Sequence, residues 1–314
     1  MFRHVLAFLS LASALQAQEL QRYDFSAPLM ATTFRISLHA ESKEKAETAA
    51  DAAFKRIAAL NAVFSDYEPN SELMKLVNTG PDKPFQASSE LFDLISRSLE
   101  LSRLTDGGFD ISCGNLTQLW RRAKRMKRLP PADRLQKALA ATDWRAVQLD
   151  PKAQTIMLTK PGMLLDLGGI AKGYAADEGL RILCEHGLTR ALVIAGGDIA
   201  IGDPPPGEDA WDIKLRQFAK PAPEEDLVPV RLKNCGVSTS GDLYQFTEID
   251  GIRYSHIVSP KTGLGLTDRV ACSVIAPNAT TSDALATAMC VLGKERGEKV
   301  AVQIAGVTVK FASP

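Results

Sequence analysis

The chain has 314 residues, enough for one large domain or two average ones, and at 45% hydrophobic it can bury a sizeable core. Its 37 basic residues balance 37 acidic ones, so no global field marks a nucleic-acid binder. The cysteines Cys113, Cys184, Cys235, Cys272 and Cys290 are odd in number and irregularly spaced, which argues against a disulfide framework; each has apolar neighbours and reads as a buried free thiol.

The first residues, MFRH, supply a positive start, VLAFLSLASAL an apolar run, and Ala12, Ala14 and Ala17 the small residues of a cleavage site. Residues 1–17 therefore read as a secretory signal, too short to span a membrane and with no lipobox cysteine nearby. The expectation is an exported, periplasmic protein whose residues 18–314 form one unit.

Residues 34–39 alternate as a strand does, and 43–63 carry apolar side chains at helical spacing. FSDYEPNSEL (64–73) is a turn-rich loop that ends in a new helix. Ser88 and Ser89 can cap a helix running to Leu104. The basic run RRAKRMKR (121–128) has no interleaved aromatics and reads as a solvated helix face, ended by Pro130 and Pro131. Residues 155–159 and 163–167 read as strands, 170–186 as a helix and 191–194 as another strand, which suggests a crossover unit. DPPPGED and AKPAPEEDL read as surface loops. Asp250-Gly251 is a hairpin turn between YQFTEI and IRYSHIV. Residues 270–275 read as a strand, 282–292 as a helix and 307–311 as a final strand. The fold class is α+β, with mixed or antiparallel sheets packed with helices in a single compact unit.

The chemistry is narrowed first by what the sequence lacks. There is no G-x-x-x-x-G-K-[ST] loop, no G-x-G-x-x-G and no G-x-S-x-G elbow. His39, His186 and His256 are far apart and have no cysteines at zinc-ligand spacing. LDLGGIAKGYAAD (165–177) places Gly168 and Gly169 before a helix start, with Lys172 one turn in. That pattern suits a phosphate, and it also suits plain close packing. Asp283 and Thr287, four apart, share a helix face and can offer oxygens to a hard cation, or serve as a first-turn acid and a core threonine. His256 is either a proton-transfer group or a packing histidine. Thr239, Ser240 and Gly241 could form a second phosphate-facing loop, and Asp110 could position a ligand or close a turn.

Together these stretches resemble the ApbE family of FAD:protein FMN transferases. MATTFRISL (30–38), SDYEPNSEL (65–73), GGFDISCGNLTQLW (107–120) and DLGGIAKGYAAD (166–177) match its motifs in order. ALVIAGGDI, VSTSGD, YSHIVSPKTG and SDALATAMCVLG follow where the family has A-L-V-N-A-G-G-D, S-T-S-G-D, H-I-I-D-P-x-T-G and A-D-x-L-A-T-A. The resemblance implies a T-fold-like single unit that binds FAD with Mg²⁺. It implies transfer of FMN to a Thr or Ser hydroxyl of an acceptor flavoprotein, with AMP leaving. FAD hydrolysis on the same site and non-catalytic flavin binding are the alternatives.

Carried over by residue, the resemblance places Met30, Tyr67, Gly108, Phe109, Asp110, Gly168, Lys172, Tyr174 and Ile257 around FAD. It gives Mg²⁺ to the Ala171 carbonyl, Asp283 and Thr287, and makes His256 and Asp283 the catalytic pair. Three positions depart from the motifs: Ala31 for Gly, Ile194 for Asn, and Ser259 for the Asp beside the histidine.

Overall fold

The computed structural model describes residues 19–216, 227–242 and 245–312. The stretch expected to be a signal, 1–17, and most of the AKPAPEEDL segment lie outside the described residues.

In chain order, strands β1 (Gln21–Leu29) and β2 (Thr32–Ala40) lead into helix α1 (Lys43–Phe64). Next come α2 (Glu72–Asn78), β3 (Phe85–Gln86), α3 (Ser89–Leu104), α4 (Gly114–Met126) and α5 (Ala132–Ala140). The middle contains β4 (Val147–Asp150), β5 (Thr155–Leu158), α6 (Ala171–Glu185), β6 (Ala191–Ala195), β7 (Asp198–Ile201) and β8 (Trp211–Arg216). The last part contains β9 (Leu227–Leu232), β10 (Cys235–Gly241), β11 (Phe246–Ile249), β12 (Ile252–Ser255), β13 (Ala271–Ala276), α7 (Ala279–Ala301) and β14 (Thr308–Ala312).

The frame is a seven-stranded sheet in the order β1-β2-β6-β7-β10-β13-β14, and its neighbours all run antiparallel. The period of two along each strand splits its side chains between two cores. Val193 and Ala191 on β6 join the main core with α1, α6 and α7. Leu192, Ile201 and Val237 face the other way and pack beneath the β8–β9 hairpin, on Trp211, Ile213 and Leu215. Helices on one face and a hairpin on the other make this an α+β unit.

Several elements follow from local chemistry. Ser42, Ser71 and Ser88 cap α1, α2 and α3, each accepting a backbone N–H from three residues on. The Asp250-Gly251 turn has φ of 51° and 76°, which suits the right-handed twist of the β11–β12 hairpin. The β1–β2 turn also needs positive φ, at Met30 (47°) and Ala31 (58°). Ala31 therefore holds a torsion that the family's glycine adopts freely, at about 1–2 kcal/mol.

Other expectations fail. Residues 163–167 are not a strand, because their backbone bonds run to a loop rather than a ladder. Gly114 N–H donates to Leu164 O at 3.1 Å and Asp166 N–H to Ile111 O at 2.8 Å. The parallel crossover disappears with that strand. The basic helix does stop before Pro130 and Pro131: α4 ends at Met126 with Lys127 at φ 47°, and Pro131 precedes a separate helix, α5. Helix α7 continues past Leu292 to Ala301, broken at Gly293 (φ 73°). All the cysteines are free, but only Cys272 and Cys290 are buried; Cys184 is exposed.

Candidate active site

The start of α7 is held on three sides. Asp177 on α6 accepts the N–H groups of Ala279 (2.9 Å) and Thr280 (2.8 Å). Glycines supply the close approach. A Cβ on Gly173 would lie 2.2 Å from Ala279 O, and one on Gly236 of β10 would lie 2.1 Å from Ala279 N. This clamp sets α7 against the first turn of α6, where the site forms.

Asp283, one turn into α7, is buried. It accepts Gly173 N–H at 2.9 Å and lies 3.5 Å from the Lys172 ammonium. Lys172 makes a closer pair with Asp198 at 2.5 Å. Burial acts to strip the Lys172 proton, but the two carboxylates outweigh it and hold the ammonium well above the usual lysine range. Lys172 is thus locked rather than mobile. Burial, reinforced by the Asp198 carboxylate, pushes the Asp283 carboxyl up to about 7 against the pull of Lys172 and Gly173 N–H. Two buried carboxylates face one ammonium, which leaves surplus negative charge that a bound cation would neutralise. Thr287, one turn further along α7, sits 3.3 Å from Ser240 Oγ, and its hydroxyl would lie 3.4 Å from a Cβ on Gly169. Among the described residues no three His, Cys, Asp or Glu side chains gather as a metal cluster. A cation here would therefore take one carboxylate and neutral oxygens, the donor set of Mg²⁺.

The glycine turn itself differs from expectation. Neither Gly168 nor Gly169 has positive φ. Gly169 instead sits close between Phe109 and Thr287, where an added Cβ would lie 3.3 and 3.4 Å from their side chains. Gly168 N–H donates to Asp166 Oδ1 at 2.7 Å, and the N–H groups of Ile170 and Ala171 both donate to Leu167 O. The helix start thus offers fewer free donors than the sequence suggests.

Around this point lies a cavity of about 1120 Å³. Every candidate except Tyr174 lines it: Met30 from the β1–β2 turn, Tyr67 from the loop before α2, and Gly108, Phe109 and Asp110 from the loop before α4. Gly168, Ala171 and Lys172 come from the start of α6, His256 and Ile257 from the segment after β12, and Asp283 and Thr287 from α7. Thr239, Ser240 and Gly241 line it as well. Tyr174 instead packs edge-on against Phe64, with ring centroids 5.4 Å apart, behind the cavity wall.

Asp110 accepts from the backbone and hydroxyl of Ser112 at 2.8 and 2.6 Å, fixing its own loop. Burial raises its carboxyl.

Arg121 is a site residue that the basic run concealed. Its guanidinium lies 4.4 Å from the Tyr67 ring centre and pairs with Asp66 (2.5 Å) and Asp166 (3.0 Å). It ties the exposed Tyr67 to the glycine turn. Asp198 was also missed, although it lies in the quoted AGGD motif.

His256 is half-buried, and its Nδ1 lies 3.1 Å from Gln245 O. A carbonyl only accepts, so Nδ1 carries the proton and Nε2 keeps its lone pair. Burial holds the ring neutral, lowering it from 6.5 to about 4, with the Lys124 and Lys172 cations adding to the effect. An NMR titration of the His256 ring should place its midpoint well below 6.5. The folded state then refuses a proton that the unfolded chain accepts. The ring therefore makes stability fall as pH drops from about 6.5 towards 4, and its contribution is complete above that window.

Of the three departures, Ala31 lines the cavity at the β1–β2 turn, whereas Ser259 and Ile194 do not. Ser259 Oγ accepts Lys261 N–H at 3.3 Å and Thr262 N–H at 3.4 Å, closing its own turn as an aspartate would. Ile194 sits in the sheet, opposite Ile199 and Arg35.

Comparison with known proteins places this geometry. The FAD:protein FMN transferase of Treponema pallidum (strain Nichols) is 34% identical over 266 residues, 80% of this chain and 73% of that protein. The same-named protein of Escherichia coli (strain K12) is 30% identical over 83% of this chain and 74% of its own length. Among solved structures, the ApbE protein of Thermotoga maritima superposes with a TM-score of 0.80 at 31% identity, covering 92% of this chain and 93% of that one. The flavin transferase ApbE from Vibrio cholerae gives 0.80 at 27% identity, with coverages of 92% and 93%. The ApbE family profile matches residues 30–311, nearly the whole described chain, and the protein belongs to that family.

Proposed function

We propose that this enzyme transfers the FMN half of FAD to a serine or threonine hydroxyl of an acceptor flavoprotein, releasing AMP, in a Mg²⁺-dependent reaction on the periplasmic side. The observation that carries this is the meeting of the α6 glycine turn with Asp283 and Thr287 in one cavity wall. The names of the relatives in Treponema pallidum and Escherichia coli support the flavin chemistry. The amino-terminal signal supports the location.

Tyr67, backed by Arg121, offers a ring for stacking on the flavin. Lys172 and the glycine turn face the pyrophosphate. The Ala171 carbonyl, Asp283 and Thr287 would hold magnesium. Bound there, the ion supplies charge neutralisation at the pyrophosphate and at the departing AMP oxygen. The acceptor O–H attacks the phosphorus on the FMN side; a new P–O bond forms, the P–O bond to AMP breaks, and the proton passes to Nε2 of neutral His256.

The test is incubation with FAD, Mg²⁺ and an acceptor domain, followed by mass spectrometry for FMN on a Ser or Thr. An adduct that His256→Ala slows by about 10²-fold or more is the expected result. Release of free FMN and AMP without an adduct selects hydrolysis, and FAD binding without turnover removes the catalytic reading.

A further inference from the structure

Helix α4 has three faces. Leu116, Trp120 and Ala123 point into a core with α5 and the β11–β12 hairpin. Thr117, Arg121 and Lys124 line the cavity. At roughly 100° per residue, Gln118, Arg122 and Arg125 form the next stripe round, facing solvent. Cations therefore run without a break from the cavity wall, at Lys124 and Arg121, across Arg125 and Arg122 to Lys127 and Arg128 beyond the helix end.

Arg121 is consumed by Asp66 and Asp166. Among the described residues, Arg122, Lys124, Arg125, Lys127 and Arg128 have no ion pair. Like charges three and four apart on a helix repel. The helix C-terminus favours cations in its last turn, but that does not account for Arg122 or for continuity with the cavity. The chain as a whole is neutral, so this concentration is local.

We infer that the exposed face of α4 is the docking surface for the acceptor protein, and that it recognises acidic residues flanking the acceptor's target hydroxyl. The inference rests on the transfer reaction proposed above. Charge complementarity identifies the partner: a polypeptide delivering a hydroxyl to the cavity must cross its rim, and on the α4 side that rim is cationic. A protein segment fits better than an anionic membrane. The charged stripe leads into the cavity, and the one large apolar side chain exposed on α4 is Met126, too little to anchor in lipid.

The experiment compares wild type with R122E/R125E/R128E, none of which lines the cavity. The acceptor is a domain with Asp or Glu beside its target threonine, and a second version has those residues changed to Asn or Gln. The expected result is a rise of about tenfold or more in the variant's acceptor KM, with kcat at saturating acceptor and FAD affinity unchanged. The wild-type KM should rise with salt while the variant's does not. Neutralising the acceptor's acids should raise KM for wild type and lower it for the charge-reversed variant, which no longer repels the acceptor. An unchanged KM in an active variant overturns the docking surface and leaves the transfer reaction standing. Loss of binding to phosphatidylglycerol vesicles with unchanged acceptor KM assigns the face to membrane and also overturns it. A wild type that binds FAD but modifies no acceptor defeats the transferase reading, and this inference with it.

Discussion

Asp283→Asn should nearly abolish flavin transfer while leaving the fold and FAD binding in place. The amide has the shape of the carboxylate, and its oxygen can still accept Gly173 N–H, now at 2.9 Å. What it loses is the charge. Asp283 and Asp198 together oppose one Lys172, and that imbalance is what makes the pocket fit a cation. With Asn in place, Lys172 and Asp198 neutralise each other, and the cation loses its only anionic ligand in the proposed set. The contribution of a bound metal to phosphoryl transfer is several kcal/mol, so turnover should fall by about 10³-fold or more. Met30, Tyr67 and Phe109, which line the cavity where the proposed reading seats the flavin, are untouched. FAD affinity measured by flavin fluorescence should therefore change little beside the loss in AMP release. Turnover within tenfold of wild type would remove Asp283 from the machinery.

The parts of this fold that could be read from sequence are those whose causes are local. The α1 stripe, the Ser88 cap and the Asp250-Gly251 turn each depend on residues within a few positions of one another. Residues 163–167 look like a strand because they are apolar, but a strand needs a ladder. Their donors and acceptors are met by Ile111 and Gly114, about fifty residues away. Arg121 was hidden for the same reason. In sequence it is one cation among many, and only folding brings Asp66 and Asp166 to it. Tyr174 fails by geometry: two residues past Lys172 on a helix is a turn of about 200°, which points it away from the cavity. Asp283 and Thr287 needed both kinds of reasoning. Their spacing puts them on one face, but a shared face does not say what lies opposite, and the ordered family motifs supplied the glycine turn.

Gly173→Ala should be the most damaging single methyl in the α6–α7 interface. Alanine is the better helix former by about 1 kcal/mol, so on α6 alone the change would stabilise. Against that, the new Cβ would lie 2.2 Å from Ala279 O and 2.8 Å from Asp283 Cβ. The first contact is backbone at the capped start of α7, where Asp177 and Gly236 prevent sideways escape. Overpacking of this kind costs about 1–3 kcal/mol and sometimes more, and with a rigid neighbour the upper end applies. The net loss of about 2 kcal/mol should lower Tm by roughly 4–8 °C. Any relief by separating the helices draws Gly173 N–H away from Asp283, so transfer should fall along with stability. Gly179→Ala is the comparison that isolates the cause. It adds the same methyl to the same helix, but its near contacts, Ile57 Cδ1 at 3.0 Å and Val193 Cγ1 at 3.3 Å, are side-chain methyls rather than backbone. The propensity gain should there offset most of the strain, leaving Tm near wild type and transfer intact. Equal Tm values for the two variants would show that the α6–α7 contact has room to give, and that Gly173 is not what sets Asp283 in place.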